Sequence, residues 1–341
     1  MIKIVLAKKS VPKRHKAVRI ALFSHKGGVG KTTLTVNIAD AIAALNKNVL
    51  LVDSDPQCNL TSYLTQADVV DKWLDESDSD DGRTIWTALK PVVEATGDPR
   101  YIDPVERSKN IFLLPGDVRL SEFEQDLNQQ WSECIERKLR GFKGTSALSS
   151  VVNQLSAKLN IDYVFYDVGP NIGPLNRVIL LDCDYFIIPA ACDLFSRRAL
   201  KTLGHTLDNW IRNWATISDL APDNVPLLLG APKFLGYVLQ RFRMYGGEIT
   251  NNFSSFVSPL EKAISSDIVT VLRRIDPALA TGTMNLHRLG RVKDFSSLAS
   301  MAQVQGVPFR SVNGVSDALR LDASIAFEEI AKKIVQRSAG Q

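Results

Sequence analysis

At 341 residues, with 45% hydrophobic and 23% charged residues, the chain can bury a large core and shows no bias towards disorder or a collagen-like repeat. No apolar run approaches the ~20 residues of a membrane-spanning helix, and the opening MIKIVLAKKSVPKRHK lacks the apolar core and small-residue cleavage site of a secretion signal, so a cytoplasmic address is expected. The formal net charge of +4 is polarised: Asp68 to Asp81 carries −6 and leaves +10 elsewhere, an excess that permits attraction to nucleic acid or to an anionic membrane without proving either.

Residues 1–17 read as a basic arm, with Lys8 to Lys16 a surface tail and a DNA or partner contact as the alternative. Val18 to Ser24 is a short apolar run that breaks at HKGGVGK and gives way to TTLTVNIADAIAAL, whose apolar residues recur at helical spacing. Asn48 to Val52 repeats the strand pattern and stops at Asp53-Ser54-Asp55-Pro56, where a proline and carboxylates fit a loop. The Asp-, Ser-, Pro- and Gly-rich stretch from Thr65 to Lys109 reads as an inserted, partly loop-like segment. Apolar runs at Asn110–Leu114, Tyr163–Tyr166, Tyr185–Pro189 and Phe234–Leu239 each precede a turn signal and a helical stretch. Strands alternating with helices predict an α/β fold, a doubly wound and mainly parallel sheet with helices on both faces, and residues 18–341 form one domain that contains the acidic insertion. Cys58, Cys134, Cys183 and Cys192 have no metal or disulfide spacing and are expected to be free, mostly packed thiols. His15, His25, His205 and His287 are isolated, with no metal spacing either.

The chemistry concentrates at Lys26-Gly27-Gly28-Val29-Gly30-Lys31-Thr32-Thr33, set between a strand and a helix as a phosphate cradle requires. Glycines let successive N–H groups turn inward, and the following helix adds its positive end. Lys31 is expected against the β/γ-phosphates, Thr32 in a magnesium shell and Thr33 at the α-phosphate. Asp53 and Asp55 emerge at a strand's carboxyl end beside this loop, where open α/β sheets bind ligands. Asp167 ends DYVFYD in a comparable position.

KGGVGKTT resembles the deviant Walker A sequence of the ParA/MinD family of P-loop ATPases, and its extra lysine is the mark. The resemblance covers roughly Val18–Leu64 and Asn110–Leu239, extends less firmly to the C-terminus, and is absent over the acidic insertion. It implies ATP and magnesium as ligands and a homodimer with ATP sandwiched at the interface. Lys26 then reaches the partner's nucleotide, Asp55 positions the attacking water from switch I, Asp53 supports the magnesium shell or the loop geometry, and Asp167 is the Walker B acid. Gln240 and Arg241 fall where relatives contact the base, and Pro308 lies in a loop flanking it. Asn171 departs from the small or hydroxylic residue of many relatives and puts the detail of switching in question.

The function implied is a ParA-type switch ATPase that positions DNA or another cargo through nonspecific DNA binding and answers to a stimulating partner protein. The alternative is an ATP-switched module controlling a partner without DNA; a MinD-like membrane role is disfavoured. Candidate DNA contacts are Arg137, Lys138, Arg140 and Lys143; Arg197, Arg198 and Lys201; and Arg288, Arg291 and Lys293, against solvated helix faces as the plainer reading. Phe327, Ile330, Ile334 and Val335 form a terminal apolar stripe that fits a helix packed on the sheet better than a membrane anchor. Trp210 and Trp214 are read as core or as a partner surface.

Overall fold

The computed structural model describes residues 16–191, 194–242, 244–245, 248–249 and 251–339. All but the last two residues of the expected basic arm lie outside this set, as does Cys192. In chain order the strands are β1 (Val18–Leu22), β2 (Val49–Asp53), β3 (Val105–Ser108), β4 (Ile111–Leu114), β5 (Tyr163–Asp167), β6 (Tyr185–Ala191), β7 (Lys233–Phe242), the short β8 (Met244–Tyr245) and β9 (Glu248–Ile249), and β10 (Arg288–Lys293). Eight of them form one sheet in the order β10-β7-β6-β1-β5-β2-β4-β3, parallel throughout except for the antiparallel β3–β4 edge. β8 and β9 make a separate hairpin. The doubly wound, mainly parallel sheet expected from the alternation of apolar runs is therefore the fold.

The helices are α1 (Lys31–Ala43), α2 (Asn59–Leu64), α3 (Ala67–Asp75), α4 (Ile85–Val93), α5 (Leu120–Ile135), α6 (Leu139–Thr145), α7 (Ala147–Lys158), α8 (Pro174–Asp182), α9 (Leu194–Ser218), α10 (Asn251–Ile264), α11 (Thr270–Ile275), α12 (Met284–His287), α13 (Ser296–Gln305) and α14 (Asp317–Ser338). Strand residues alternate between two cores, because successive side chains leave opposite faces of a pleated sheet. Ala21, Val52 and Tyr166 face a core built with α4 to α11, whereas Ile20, Leu51 and Phe165 face one built with α1, α2, α13 and α14. A sheet buried on both sides leaves its ends as the places where function can gather.

Phe327, Ile330 and Ile334 of α14 are spent on the second core, with Phe327 edge-on to Phe309 at 5.8 Å. No described helix is long and apolar enough to cross a membrane. Trp210 and Trp214 are core residues, and Cys58, Cys134 and Cys183 are buried free thiols, with burial pushing the Cys134 thiol up to about 11. The insertion is more ordered than its composition implies: it supplies α3, α4 and the edge strand β3. Its acids are partly neutralised, Asp78 by Lys90 at 3.0 Å and by Arg119, and Asp80 by Arg100 at 2.6 Å. Asp78, Asp80 and Arg100 are exposed and Lys90 and Arg119 partly so, so the pairs fasten the segment locally and add little stability.

Candidate functional site

β1, β2 and β5 end level with one another: Leu22 pairs with Asp167, and Asp53 pairs with Asp167. Parallel registry thus brings the glycine loop after β1, the Asp53–Asp55 turn after β2 and Asp167 of β5 to the same carboxyl edge, at the centre of the sheet. The loop turns through Gly28 and Gly30 at φ of +68° and +74°, a left-handed backbone that strains any side chain. Gly30 is also the N-cap of α1. A Cβ there would come within 2.8 Å of Gln240 Oε1.

Lys31 is buried, its Nζ 3.5 Å from the Ser24 carbonyl oxygen. Burial lowers its pKa, and the charges of Asp167 and Asp55 oppose that shift. Thr32 Oγ1 donates to Asp167 Oδ2 at 2.7 Å. The second oxygen of Asp167, Oδ1, is buried with no hydrogen-bond partner among the described residues. Desolvation, and then the charge of Asp53, push the Asp167 carboxyl up to about 7. A threonine hydroxyl beside an unspent carboxylate oxygen is a hard-oxygen donor set that suits magnesium.

The two acids after β2 divide their tasks. Asp53, expected in the magnesium shell or as loop support, spends its carboxylate inside the loop: Oδ2 accepts from Thr61 N at 2.7 Å and Thr61 Oγ1 at 2.6 Å, and Oδ1 accepts from Asp55 N at 3.3 Å. Asp55 accepts from Gln57 N at 3.0 Å and lies against the turn after β5, where a Cβ on Gly169 would approach its Oδ1 to 3.3 Å. In that turn Asn171 Oδ1 accepts from Gly173 N at 2.9 Å and from Asn176 Nδ2 at 2.8 Å, so the residue that departs from the family pattern builds the entry to α8. Glu124 of α5, not singled out by any motif, accepts from Leu175 N at the same entry. Burial, and then the nearby charge of Asp55, raise its pKa.

Gln240, expected at the base, grips the glycine loop: Nε2 donates to the Val29 carbonyl at 2.5 Å. A cleft of about 300 Å³ opens beside it, lined by Gly30 and Thr33 on one side and by Phe295, Ser296, Ser300 and Phe309 on the other. The β10–α13 turn that supplies Phe295 and Ser296 carries no sequence motif. Pro308 immediately precedes Phe309, whose N–H donates to Asn37 Oδ1 at 2.8 Å. Arg241 stands in β7, not after it, and its side chain lies outside the described residues. Lys26 is half-buried in the first turn of the loop, its backbone N–H donating to Ser24 Oγ at 3.3 Å.

The candidate DNA clusters fare unequally. Lys138 pairs with Glu136, Arg140 with Glu133 and Asp126, Lys143 with Asp98, Arg288 with Glu261 and Lys293 with Asp322. Arg198 and Lys201, exposed on α9, have no ion-pair partner among the described residues, and the side chain of Arg197 lies outside them.

A glycine loop capping α1, a buried lysine, and a threonine bonded to a strand-end aspartate at the centre of a parallel sheet define the P-loop class of nucleotide-binding folds. Residues 17–219 match the AAA_31 family model, an AAA domain, and the chain belongs to that family. It is 31% identical over 194 residues to the sporulation initiation inhibitor protein Soj of Bacillus subtilis strain 168, covering 55% of this chain and 64% of Soj. It is 30% identical over 192 residues to the chromosome partitioning protein ParA of Myxococcus xanthus strain DK1622, covering 55% and 57% of the two chains. The chain thus spans less than two thirds of the length of these relatives. The crystal structure of protein DIP2308 from Corynebacterium diphtheriae shares the fold, with a TM-score of 0.68 and 24% identity over 94% of this chain and 98% of that one. The ParA likeness read from KGGVGKTT is borne out by these matches.

Proposed function

We propose that the chain is an ATP-dependent switch of the ParA type, which binds ATP with magnesium, closes on a second copy of itself around the nucleotide, and hydrolyses ATP slowly until a partner protein stimulates it. The observation that carries this reading is the convergence of buried Lys31, Thr32 and Asp167 on one glycine loop. Loop amides and the α1 terminus bind phosphate, and Lys31 sets its charge against the β/γ oxygens. Thr32 and Asp167 would hold magnesium, which when bound neutralises charge on the phosphates. Asp53 holds the loop, Gln240 braces it through Val29, and Asp55 orients the attacking water. Lys26 serves the second copy's nucleotide, so that joining the subunits completes the site.

Asp55→Ala is expected to leave ATP binding intact, to cut hydrolysis by about 100-fold through loss of an oriented water, and to accumulate an ATP-bound dimer. Phosphate release and size-exclusion chromatography with ATP check this, and normal turnover would remove Asp55 from the role. Gln240→Ala is expected to weaken affinity for a non-hydrolysable ATP analogue by about fivefold to tenfold, the size of one buried hydrogen bond. Calorimetry reads that change; unaltered affinity would make the Val29 contact irrelevant to binding.

The proposed DNA surface is the Arg198–Lys201 face of α9, which has no ion-pair partner among the described residues and would place the ATP-bound state on the nucleoid. Co-sedimentation with DNA in ATP, ADP and no nucleotide is expected to show binding only with ATP, lost at high salt and in an Arg198→Glu/Lys201→Glu variant. The pairing of Lys138, Arg140 and Lys143 with acids favours the second reading, control of a partner protein without DNA. ATP-dependent dimerisation with no DNA bound would select that reading.

A further inference from the structure

The phosphate loop occupies the carboxyl edge of the sheet. At the opposite edge, where β6, β7 and β10 begin, lies a second cavity of about 370 Å³. Tyr185 opens β6, Lys233 opens β7, His287 immediately precedes β10, and Arg337 reaches in from the last turn of α14. Phe234, Leu279 and Leu286 supply an apolar wall. The chain enters this edge under tight constraint: Gly282, another lining residue, has φ of +89°, and Gly236 has φ of +152° with no room for a Cβ against the His287 carbonyl.

The charged groups here have no opposite charge facing them among the described residues; Lys233 Nζ lies 5.9 Å from the Tyr185 ring centroid. His287 is 3% exposed and tilted on Phe234 at a centroid distance of 4.9 Å, yet its Nε2 has no hydrogen-bond partner among the described residues. Leaving a buried ring nitrogen without a partner is unfavourable. Lys233 and Arg337 have no ion-pair partner among the described residues, and no carboxylate lines the cavity. Arg337 donates to the Leu235 carbonyl at 3.3 Å, which fixes its guanidinium beside the opening of β7. The contrast with the adjacent Arg288, answered by Glu261 at 2.9 Å, is direct.

We propose that this cavity is a binding site for a small organic carboxylate with an apolar body. The guanidinium and ammonium groups of Arg337 and Lys233 take the carboxylate, and the His287 ring, Phe234, Leu279 and Leu286 cover the body. The volume sits at the small end of the roughly 300–1,000 Å³ range of small-molecule sites. A polyphosphate does not suit it, because the lining lacks the run of inward amides at a helix start that the phosphate loop provides. The site is separate from nucleotide binding, although β7 runs from Lys233 and Phe234 to Gln240 and so spans both edges.

The test is a titration of the full chain with sodium phenylacetate, with 2-phenylethanol as the neutral counterpart, followed through imidazole nitrogen and proton shifts. The chain has 4 histidines, and a His287→Gln variant assigns the resonance needed. His25, beside the phosphate loop, reports any binding there separately. Phenylacetate is expected to shift His287 saturably at millimolar concentration, and the alcohol to bind about tenfold more weakly or worse, as loss of a charge-assisted contact requires. Lys233→Met and Arg337→Gln should each weaken phenylacetate by about tenfold, with thermal melting unchanged to show that the fold is intact. No saturable shift at His287, equal binding of the alcohol, or indifference to both charge removals in folded protein would overturn the site.

Discussion

Lys31→Ala is expected to reduce affinity for ATP by about 100-fold to 1,000-fold, the equivalent of roughly 3–4 kcal/mol. The side chain is buried in the loop, so its ammonium cannot be replaced by solvent in the wild-type geometry. Desolvation lowers its pKa, and the fields of Asp167 and Asp55 work against that. Removing the cation deletes a charge-assisted contact to phosphate and leaves those two carboxylates facing an incoming polyanion unopposed. Lys31→Arg should not rescue, because a planar fork does not fit a point-charge position at 3.5 Å from the Ser24 carbonyl. Calorimetric titration with a non-hydrolysable analogue measures the loss. Binding within a few-fold of wild type would mean that backbone amides alone hold the nucleotide.

What could be read in the amino-acid sequence follows from the range of each interaction. The glycine loop, its lysines and Thr32 are contiguous, so their chemistry is legible before any fold is known. Asp167 is legible because it terminates an apolar run, and the register of β1, β2 and β5 makes that position converge with the loop. Strands that are buried on both faces announce themselves as apolar runs, as β2 and β5 do. β10 does not, since RLGRVK at a sheet edge keeps Gly290 and Arg291 out of the core and reads as a basic cluster on a solvated face. β3, with Glu106 and Arg107 exposed on the other edge, is hidden for the same reason, and such charge is what protects an edge from pairing with other chains. The brace from Gln240 to Val29 joins residues 211 positions apart through the β6–β7 pairing, and no local pattern encodes it. Asp53 is the instructive intermediate: its position marks it as a site acid, but only the hydrogen bonds from Thr61 assign it to the loop.

Asp167→Asn should move stability and ligand response in opposite directions. In the folded chain burial, reinforced by Asp53, raises the Asp167 carboxyl from 3.8 to about 7. The folded state therefore holds its proton through a window in which the unfolded chain has released one, and stability falls as the pH rises from near 4 to near 7. Below that window both states are protonated and nothing is lost; above it the full cost is present. An asparagine does not titrate, keeps an oxygen to accept from Thr32 Oγ1, and removes the charge from a site with no partner for Oδ1. Without nucleotide the variant is expected to be more stable than wild type at pH 8 by about 2 kcal/mol, a value discounted for relaxation around the buried charge, and the difference should shrink towards pH 5. With magnesium and ATP the order should reverse, because the wild type alone offers the ion an anionic oxygen beside Thr32. Thermal melting across pH 5 to 8, with and without magnesium-ATP, measures both arms. A variant less stable at every pH would show that Asp167 is compensated inside the protein, and an undiminished magnesium-ATP stabilisation would remove it from the ion's shell.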